Sequence, residues 1–227
     1  MSVQAEGLQR FIGKPAKDLY GRYVGSVIGV SLDPFGEIGA VGIDEGKQGL
    51  VEHPRNQIMV GDDALIVVPD WKLEVEAFRK DNTHTMRKIE ALEELNKSGE
   101  IPQYVYEELS QNYKDSMDSL QQSYVHLTEK LKSRAHELMD YAKHIERFLG
   151  NVKVQHKTGE MSDEVFKVAH DNLAFEIGSA GKEREDIVSI LETLTIPLDT
   201  LRTEHHTQSQ PAVEQGPVTV HLTDDAP

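Results

Sequence analysis

The stretch KSGEIPQYVYEELSQN, residues Lys97 to Asn112, returns sixty residues later as KTGEMSDEVFKVAHDN, residues Lys157 to Asn172. In both copies a polar residue and a glycine close one amphipathic run, and Pro102 or Ser162 opens the next. Glycine can take the left-handed conformation that ends a helix, proline suits a first helical turn, and serine can cap free amide groups. The two copies therefore predict two elbows, each joining helices that fold back on each other.

Between the elbows, apolar or tolerated residues recur with the period of a coiled coil. Fourteen positions span 46 residues in thirteen steps. The mean is about 3.5 residues, which favours a supercoiled helix over a straight one. A helix from Pro102 to about Lys157 would be on the order of 80 Å long. The positions are Tyr106, Leu109, Tyr113, Met117, Leu120, Tyr124, Leu127, Leu131, Ala135, Leu138, Ala142, Ile145, Leu149 and Val152.

Shorter amphipathic segments flank this middle helix, and residues 70–200 together predict helical hairpins. We expect the flanking helices to fold back along opposite ends of the middle one, giving an elongated antiparallel coiled-coil rod. Each helical segment carries a row of recurring apolar residues, which we call its seam. Polar Asn82 and Thr85 interrupt the seam of the first flanking segment, where they would specify register at some cost in stability. The first seam comprises Trp71, Val75, Phe78, Ile89 and Leu92, and the second Phe166, Ala169, Leu173, Ile177, Ala180, Ile187, Leu191 and Leu194, before Pro197 ends it.

Residues 1–69 are rich in glycine and β-branched residues and predict a small β domain. Strands are expected at Tyr23–Val30, Ile38–Ile43, Gln57–Val60 and Ala64–Val68, with turn residues between the first two. Several short strands in so few residues are typical of a small barrel or a strongly curled sheet. Because such a domain buries only a modest core, we expect it to lean on another surface. The fold class is therefore α+β.

After the helices, residues 201–217 are polar and predict a flexible, disordered linker. Residues 218–227 begin with an alternating pattern that predicts one isolated strand. Such a strand cannot satisfy its own backbone hydrogen bonds, so we expect it to add to the edge of another protein's sheet. Alternate residues would then face a pocket, and the two between them would face solvent. The pocket-facing residues are Val218, Val220 and Leu222, and the solvent-facing residues are Thr219 and His221.

Composition narrows the class of protein. The net charge of −15 speaks against general nucleic-acid binding, and the absence of cysteine excludes disulfides and thiolate chemistry. With no signal-peptide pattern and no long apolar run, we expect a cytoplasmic protein with peripheral membrane contact at most. Four cations near the start of the β domain are a candidate contact for anionic lipid or DNA, although such cations often only keep a surface soluble. They are Arg10, Lys14, Lys17 and Arg22.

Three patterns resemble enzyme motifs, and each is incomplete. His136-Glu137 lacks the second histidine of a zinc protease, since Asp140 stands in its place. His136 and His144 would lie about 12 Å apart along a helix, too far to bind one metal ion. The run Gly178–Lys182 resembles a phosphate loop, but Glu183 replaces the magnesium-binding hydroxyl. We therefore predict no enzyme, no metal site and no cofactor.

The residues Phe11–Pro15 and Asp18–Val27, with Gly29-Val30, resemble the PRC-barrel, a small β-barrel of adaptor proteins. With the acidic helical segment, its two elbows and the terminal strand, the chain resembles the CdvA family of archaeal cell-division proteins. That resemblance implies a filament-forming cytoskeletal protein at the division site, near the membrane. It implies recruitment of the ESCRT-III homologue CdvB, whose winged-helix-like domain would receive the strand Val218–Leu222. The alternative hypothesis is a structural protein associated with DNA or the chromosome.

Overall fold

The chain forms a curled β-sheet followed by three long helices, and the computed structural model describes residues 7–195. Its strands are β1 (Pro15–Asp18), β2 (Tyr23–Leu32), β3 (Ile38–Asp44), β4 (Leu50–Pro54), β5 (Ile58–Val60) and β6 (Leu65–Val67). The helices are α1 (Asp70–Ser98), α2 (Gln103–Lys157) and α3 (Asp163–Thr193). The α+β fold class is confirmed, while the tail from residue 196 onward, with its linker and terminal strand, lies outside the described residues.

The sheet has the order β4-β3-β2-β1-β6-β5. Neighbouring strands are antiparallel except for β1 and β6, which run parallel with Ala16 opposite Leu65. Irregularities in the register of β2 against β3, between Val27 and Gly29 and again after Ser31, bend the ten-residue β2. In the described part of the chain β4 and β5 are the two edges, so the sheet is half a barrel rather than a closed one.

The concave side of the sheet holds its own core. Phe11, Ala16, Val41, Ile43 and Leu65 have no accessible surface. Gly25 is needed where β2 lies beside the end of β3, because a Cβ atom there would lie 2.3 Å from the carbonyl oxygen of Asp44. Further core residues are Leu8, Val27, Ile58 and Val67.

The four strands expected from the sequence are present, and two more were not predicted. β1 and β4 have the sequences PAKD and LVEHP, in which charged residues and proline obscure any apolar alternation. In β4 the inward position is taken by His53, whose ring nitrogens contact Glu45 at 2.8 Å and Gln57 at 3.1 Å. Partners in neighbouring segments, rather than apolar character, keep this side chain inside.

Both elbows lie where the repeat predicts them. Gly99 and Gly159 have φ angles of 70° and 79°, the left-handed values that terminate a helix. Ser162 caps α3 by accepting a hydrogen bond from the Val165 amide at 3.4 Å. Pro102 directly precedes α2 at the capping position, one residue before its first turn. The predicted helical hairpins are confirmed.

α1 and α3 each pack antiparallel to α2, from opposite ends, and their far ends overlap near its middle. Tyr124 marks the overlap, since its ring lies 6.0 Å from that of Phe78 and its hydroxyl donates to the Leu194 carbonyl at 3.3 Å. All fourteen predicted seam positions of α2 are buried or partly buried. The rod is therefore three helices thick in the middle and two at each end. The shared core comprises Trp71, Val75, Phe78, Leu120, Leu127, Leu131, Leu138, Ala180, Ile187 and Leu194.

Candidate functional site

The sheet joins the helices through the tight turn between β1 and β2. Asp18 organises this turn, because one of its carboxylate oxygens accepts hydrogen bonds from the amides of Tyr20 and Arg22 at 2.8 and 2.9 Å. Gly21 at its tip has a φ of 86° and lies against the ring of Phe175 on α3. The carbonyl of Tyr20 accepts a hydrogen bond from Ser179 on α3 at 3.0 Å. The turn is thereby seated on one face of α3.

Glu183 on α3 lies at the centre of the junction and is only 1% exposed. Arg134 of α2 reaches its two carboxylate oxygens with Nε at 2.9 Å and a terminal nitrogen at 3.2 Å. Arg22 of the turn donates to the same carboxylate, and Trp71 of α1 donates its indole N–H at 3.3 Å. One buried side chain is thus bound by the sheet and by both of the other helices.

The charges of this cluster balance. Arg22 also binds Asp18 at 2.6 Å, so two guanidinium groups face two carboxylates. Burial by itself raises the pKa of Glu183, but the hydrogen bonds and charges of Arg134 and Arg22 outweigh it, and the pKa lies below its ordinary value. Glu183 is therefore ionised at neutral pH. We call this cluster of Asp18, Arg22, Trp71, Arg134 and Glu183 the clasp, because it holds the sheet to the helices by charge and hydrogen bonds.

A second contact beside the clasp ties the turn to α1 and α3. The Tyr20 hydroxyl and the Lys72 ammonium group both donate to Asp186 at 2.9 Å. The hydrogen bond from Lys72, and less strongly that from Tyr20, lowers the pKa of Asp186 despite its partial burial. Burial and the neighbouring Asp186 carboxylate raise the pKa of Tyr20, which keeps its hydroxyl protonated as a donor.

Sequence reasoning missed the role of Glu183, which it noted only as a departure from a phosphate loop. A signal was available, because Glu183 lies three residues after Ala180 and four before Ile187, on the buried seam of α3. A carboxylate at such a position calls for buried cationic partners. Trp71, which the sequence predicts on the first seam, lies in the buried core of the helices, with Tyr20 of the turn packed against that core.

The four cations proposed as an anion contact fall into two groups. Arg10 and Lys14 are exposed and flank the ring of Phe11, with their charged groups 5.0 and 5.2 Å from its centre. Lys17 is exposed on β1. Arg22 is instead bound to Asp18 and Glu183 within the clasp. A contact with an external anion therefore depends on Arg10, Lys14 and Lys17.

The remaining sequence candidates have simple positions. The predicted docking strand Val218–Leu222 lies outside the described residues and stays a prediction. His136 and Asp140 form an exposed pair at 3.3 Å on α2, and the run Gly178–Lys182 is continuous helix within α3, without the loop that would cradle phosphate. Over residues 7–195 no group of three or more acidic or histidine side chains is placed to hold a metal ion. Over the same residues, no helix combines the length and apolar character needed to cross a membrane.

A curled sheet clasped to a long antiparallel rod defines an elongated coiled-coil scaffold. The family model of the CdvA-like coiled-coil domain matches residues 70–217, which is 148 of the 227 residues. The chain belongs to this family, whose members are coiled-coil proteins and not a known class of enzyme.

A relative from Sulfolobus acidocaldarius, "Cell division protein A", is 27% identical over 194 residues. That match covers 86% of this chain and 81% of the relative. Because residues 70–227 number only 158, the similarity extends into the region of the N-terminal sheet.

Proposed function

We propose that this chain is a non-enzymatic cytoskeletal adaptor of archaeal cell division. It assembles at the division site near the membrane and recruits the ESCRT-III homologue CdvB through its C-terminal strand. The observation that carries the proposal is the similarity to Cell division protein A over 86% of the chain, sheet and rod together. The clasp at Glu183 supports the mechanical part, because it unites sheet and helices into one stiff body.

Recruitment would use the last twelve residues. In the proposed complex, the strand Val218–Leu222 adds to a sheet edge of CdvB, and Val220 enters an apolar pocket. Deleting residues 216–227 should abolish CdvB binding and leave self-assembly intact. An unchanged affinity in a calorimetric titration against the CdvB winged-helix-like domain would reject the recruitment proposal.

A matched pair of point variants sharpens this test. Val220→Asp places a charge in an apolar pocket without compensation and should weaken binding by more than about tenfold. Thr219→Asp adds the same charge on the side expected to face solvent, so its effect should be small. Equal effects of the two variants would contradict the assigned facing of the strand.

Assembly and membrane contact are tested separately by negative-stain electron microscopy of the full chain, with and without lipid vesicles. We expect polymers from the wild-type chain and from the truncated chain alike. Dispersed particles under all conditions would refute the cytoskeletal role, even if CdvB binding held.

The exposed cations beside Phe11 favour a second, compatible activity, contact with phosphate groups. Arg10, Lys14 and Lys17 would bind either anionic lipid headgroups or the backbone of DNA, the latter corresponding to the chromosome-associated alternative. Reversing all three to glutamate should abolish binding to whichever anion is the partner. Parallel titrations with anionic vesicles and with duplex DNA across salt concentrations separate the two sources, and no binding to either rejects the contact.

A further inference from the structure

The side of α2 that faces away from its seam forms a continuous exposed stripe. Its sixteen positions advance by three or four residues, fifteen steps over 53 residues, so the stripe keeps the period of the seam and stays opposite to it. All sixteen residues are exposed. The stripe comprises Tyr104, Glu108, Gln111, Asp115, Asp118, Gln122, Val125, Glu129, Lys132, His136, Asp140, Lys143, Arg147, Gly150, Val154 and Lys157.

The charge of α2 changes sign at its midpoint. Residues 103–129 contain five carboxylates and one cation, a net of −4, whereas residues 130–157 contain seven cations and three carboxylates, a net of +4. On the stripe itself the four charged residues before residue 130 are all acidic. After it, the only carboxylate is Asp140, which pairs with His136 and Lys143 of the same helix. One helical face thus has an acidic half and a basic half.

The two halves complement each other about the centre of the helix. If a second α2 lay antiparallel with its centre beside residues 130–131, residue n of one copy would face residue 261 − n of the other. Glu129 then faces Lys132 and Asp118 faces Lys143, while Asp115 faces Arg147 within one residue. Each pair occurs twice because the arrangement has two-fold symmetry.

We propose that this stripe is a self-association surface, on which a second copy of the chain packs antiparallel through the outer face of its α2. The proposal rests on the self-assembly in the proposed function and deepens it by naming the surface. Matched charges would set the orientation and register. Exposed ion pairs are individually weak and screened by salt, so the contact is a reversible, salt-sensitive one. Tyr104 and Val154, 70% and 61% exposed, supply apolar contact near its ends.

The first experiment reverses one half of the stripe at a time. An acid variant carries Lys132→Glu, Lys143→Glu and Arg147→Glu, which makes both halves of its stripe predominantly negative. Analytical ultracentrifugation should show the dissociation constant of its dimer raised by more than about tenfold relative to that of the wild-type chain, because like charges now face each other. Wild-type association should itself weaken between about 50 mM and about 500 mM NaCl.

A base variant carries Asp115→Lys, Asp118→Lys and Glu129→Lys, which makes both halves of its stripe predominantly positive. Alone it should also remain monomeric under conditions where the wild-type chain associates. Mixing the acid and base variants in equal amounts should restore association as a mixed dimer, since a predominantly negative stripe then meets a predominantly positive one. Circular dichroism melts should match the wild type, because the substituted side chains are exposed.

A matched control applies the same change of charge elsewhere. Lys80→Glu, Arg87→Glu and Lys88→Glu lie on exposed positions of α1, away from the stripe. This control should associate like the wild type. If the acid and base variants also behave like the wild type, or if their mixture stays monomeric, the stripe is not the interface. A wild-type chain that stays monomeric at every salt concentration overturns the proposed self-assembly as well.

The second experiment measures the geometry. The chain has no cysteine, so a single cysteine introduced by Asp118→Cys or Lys143→Cys can carry one spin label in the full chain. Both positions lie about 12.5 residues from the proposed centre. Labels on the two copies should therefore be separated by about 38 Å along the helix in either variant. A parallel pair would instead give one short distance at both positions. If a different protein bound the stripe, labels on two copies of this chain would show no defined distance.

Discussion

Replacing Glu183 by glutamine tests the clasp that joins the sheet to the rod. The substitution keeps the shape of the side chain and removes its charge, leaving Arg22 and Arg134 to face each other. Breaking a buried ion pair on one side costs about 3–5 kcal/mol. Because the side chains of Arg22 and Arg134 are 16% and 39% exposed, water relieves part of this cost, and we expect about 3 kcal/mol.

That loss is large enough to measure in two ways. For a chain of this size it corresponds to a melting temperature lowered by roughly 6–12 °C and a urea midpoint lowered by roughly 1–2 M. Unfolding should be followed by circular dichroism and by the fluorescence of Trp71, the only tryptophan, whose indole binds Glu183. The second probe reports directly on the clasp.

The control is Glu185→Gln on an exposed position of the same helix, which should change the free energy of unfolding by less than about 0.5 kcal/mol. A double-mutant cycle with Arg134→Met should show a coupling energy above about 1 kcal/mol with Glu183. If Glu183→Gln is no more destabilising than Glu185→Gln, the clasp does not hold the sheet to the rod, and the reasoning is refuted.

Three further predictions concern pH, the elbows and the seam. The pKa of Glu183 is depressed in the folded state, so the contribution of this group to the free energy of unfolding is complete above its unfolded pKa near 4.5 and is lost as the pH falls through the lower folded pKa. When the free energy of unfolding is measured against pH, it should therefore fall more steeply in acid for the wild type than for Glu183→Gln. Gly99→Ala and Gly159→Ala should each lower the free energy of unfolding by about 1 kcal/mol, because both glycines have left-handed backbone. Gly150→Ala, in the interior of α2 with open space around it, should instead raise that free energy by about 0.5–1 kcal/mol. Equal effects at all three positions in denaturant unfolding would contradict the left-handed role of the elbows. Asn82→Leu should raise the urea midpoint, because the Oδ1 atom of Asn82 is buried without a hydrogen-bond partner in the described structure. A lowered midpoint would show that the hydrogen bond from the Asn82 Nδ2 atom to the Thr195 carbonyl stabilises the fold more than the unpaired oxygen destabilises it.

The helical rod could be predicted from the sequence because its determinants are local. A period of about 3.5 residues identifies the seam, and glycine followed by Pro102 or Ser162 identifies each elbow. The five buried residues of α1 are the five apolar residues expected on its first seam. With the helix ends and the buried faces fixed, antiparallel packing on opposite ends of α2 follows from geometry.

The clasp could not be predicted because it depends on which faces of distant segments meet. Arg22 is 112 residues from Arg134 along the chain and 161 from Glu183, and nothing local links them. By position alone Arg22 resembles the exposed cations Arg10 and Lys14, yet its partner Glu183 lies in a helix that follows much later in the chain. β4 was missed for a related reason, since the inward place of His53 depends on Glu45 and Gln57.

The staggered overlap of the helices has a mechanical consequence. A beam of three packed helices resists bending more than a beam of two, so the middle of the rod is its stiffest section. The sheet is attached there, next to Trp71, while both tips beyond the overlap are thinner and more compliant. A load applied across the molecule would therefore flex the tips first and leave the orientation of the sheet unchanged.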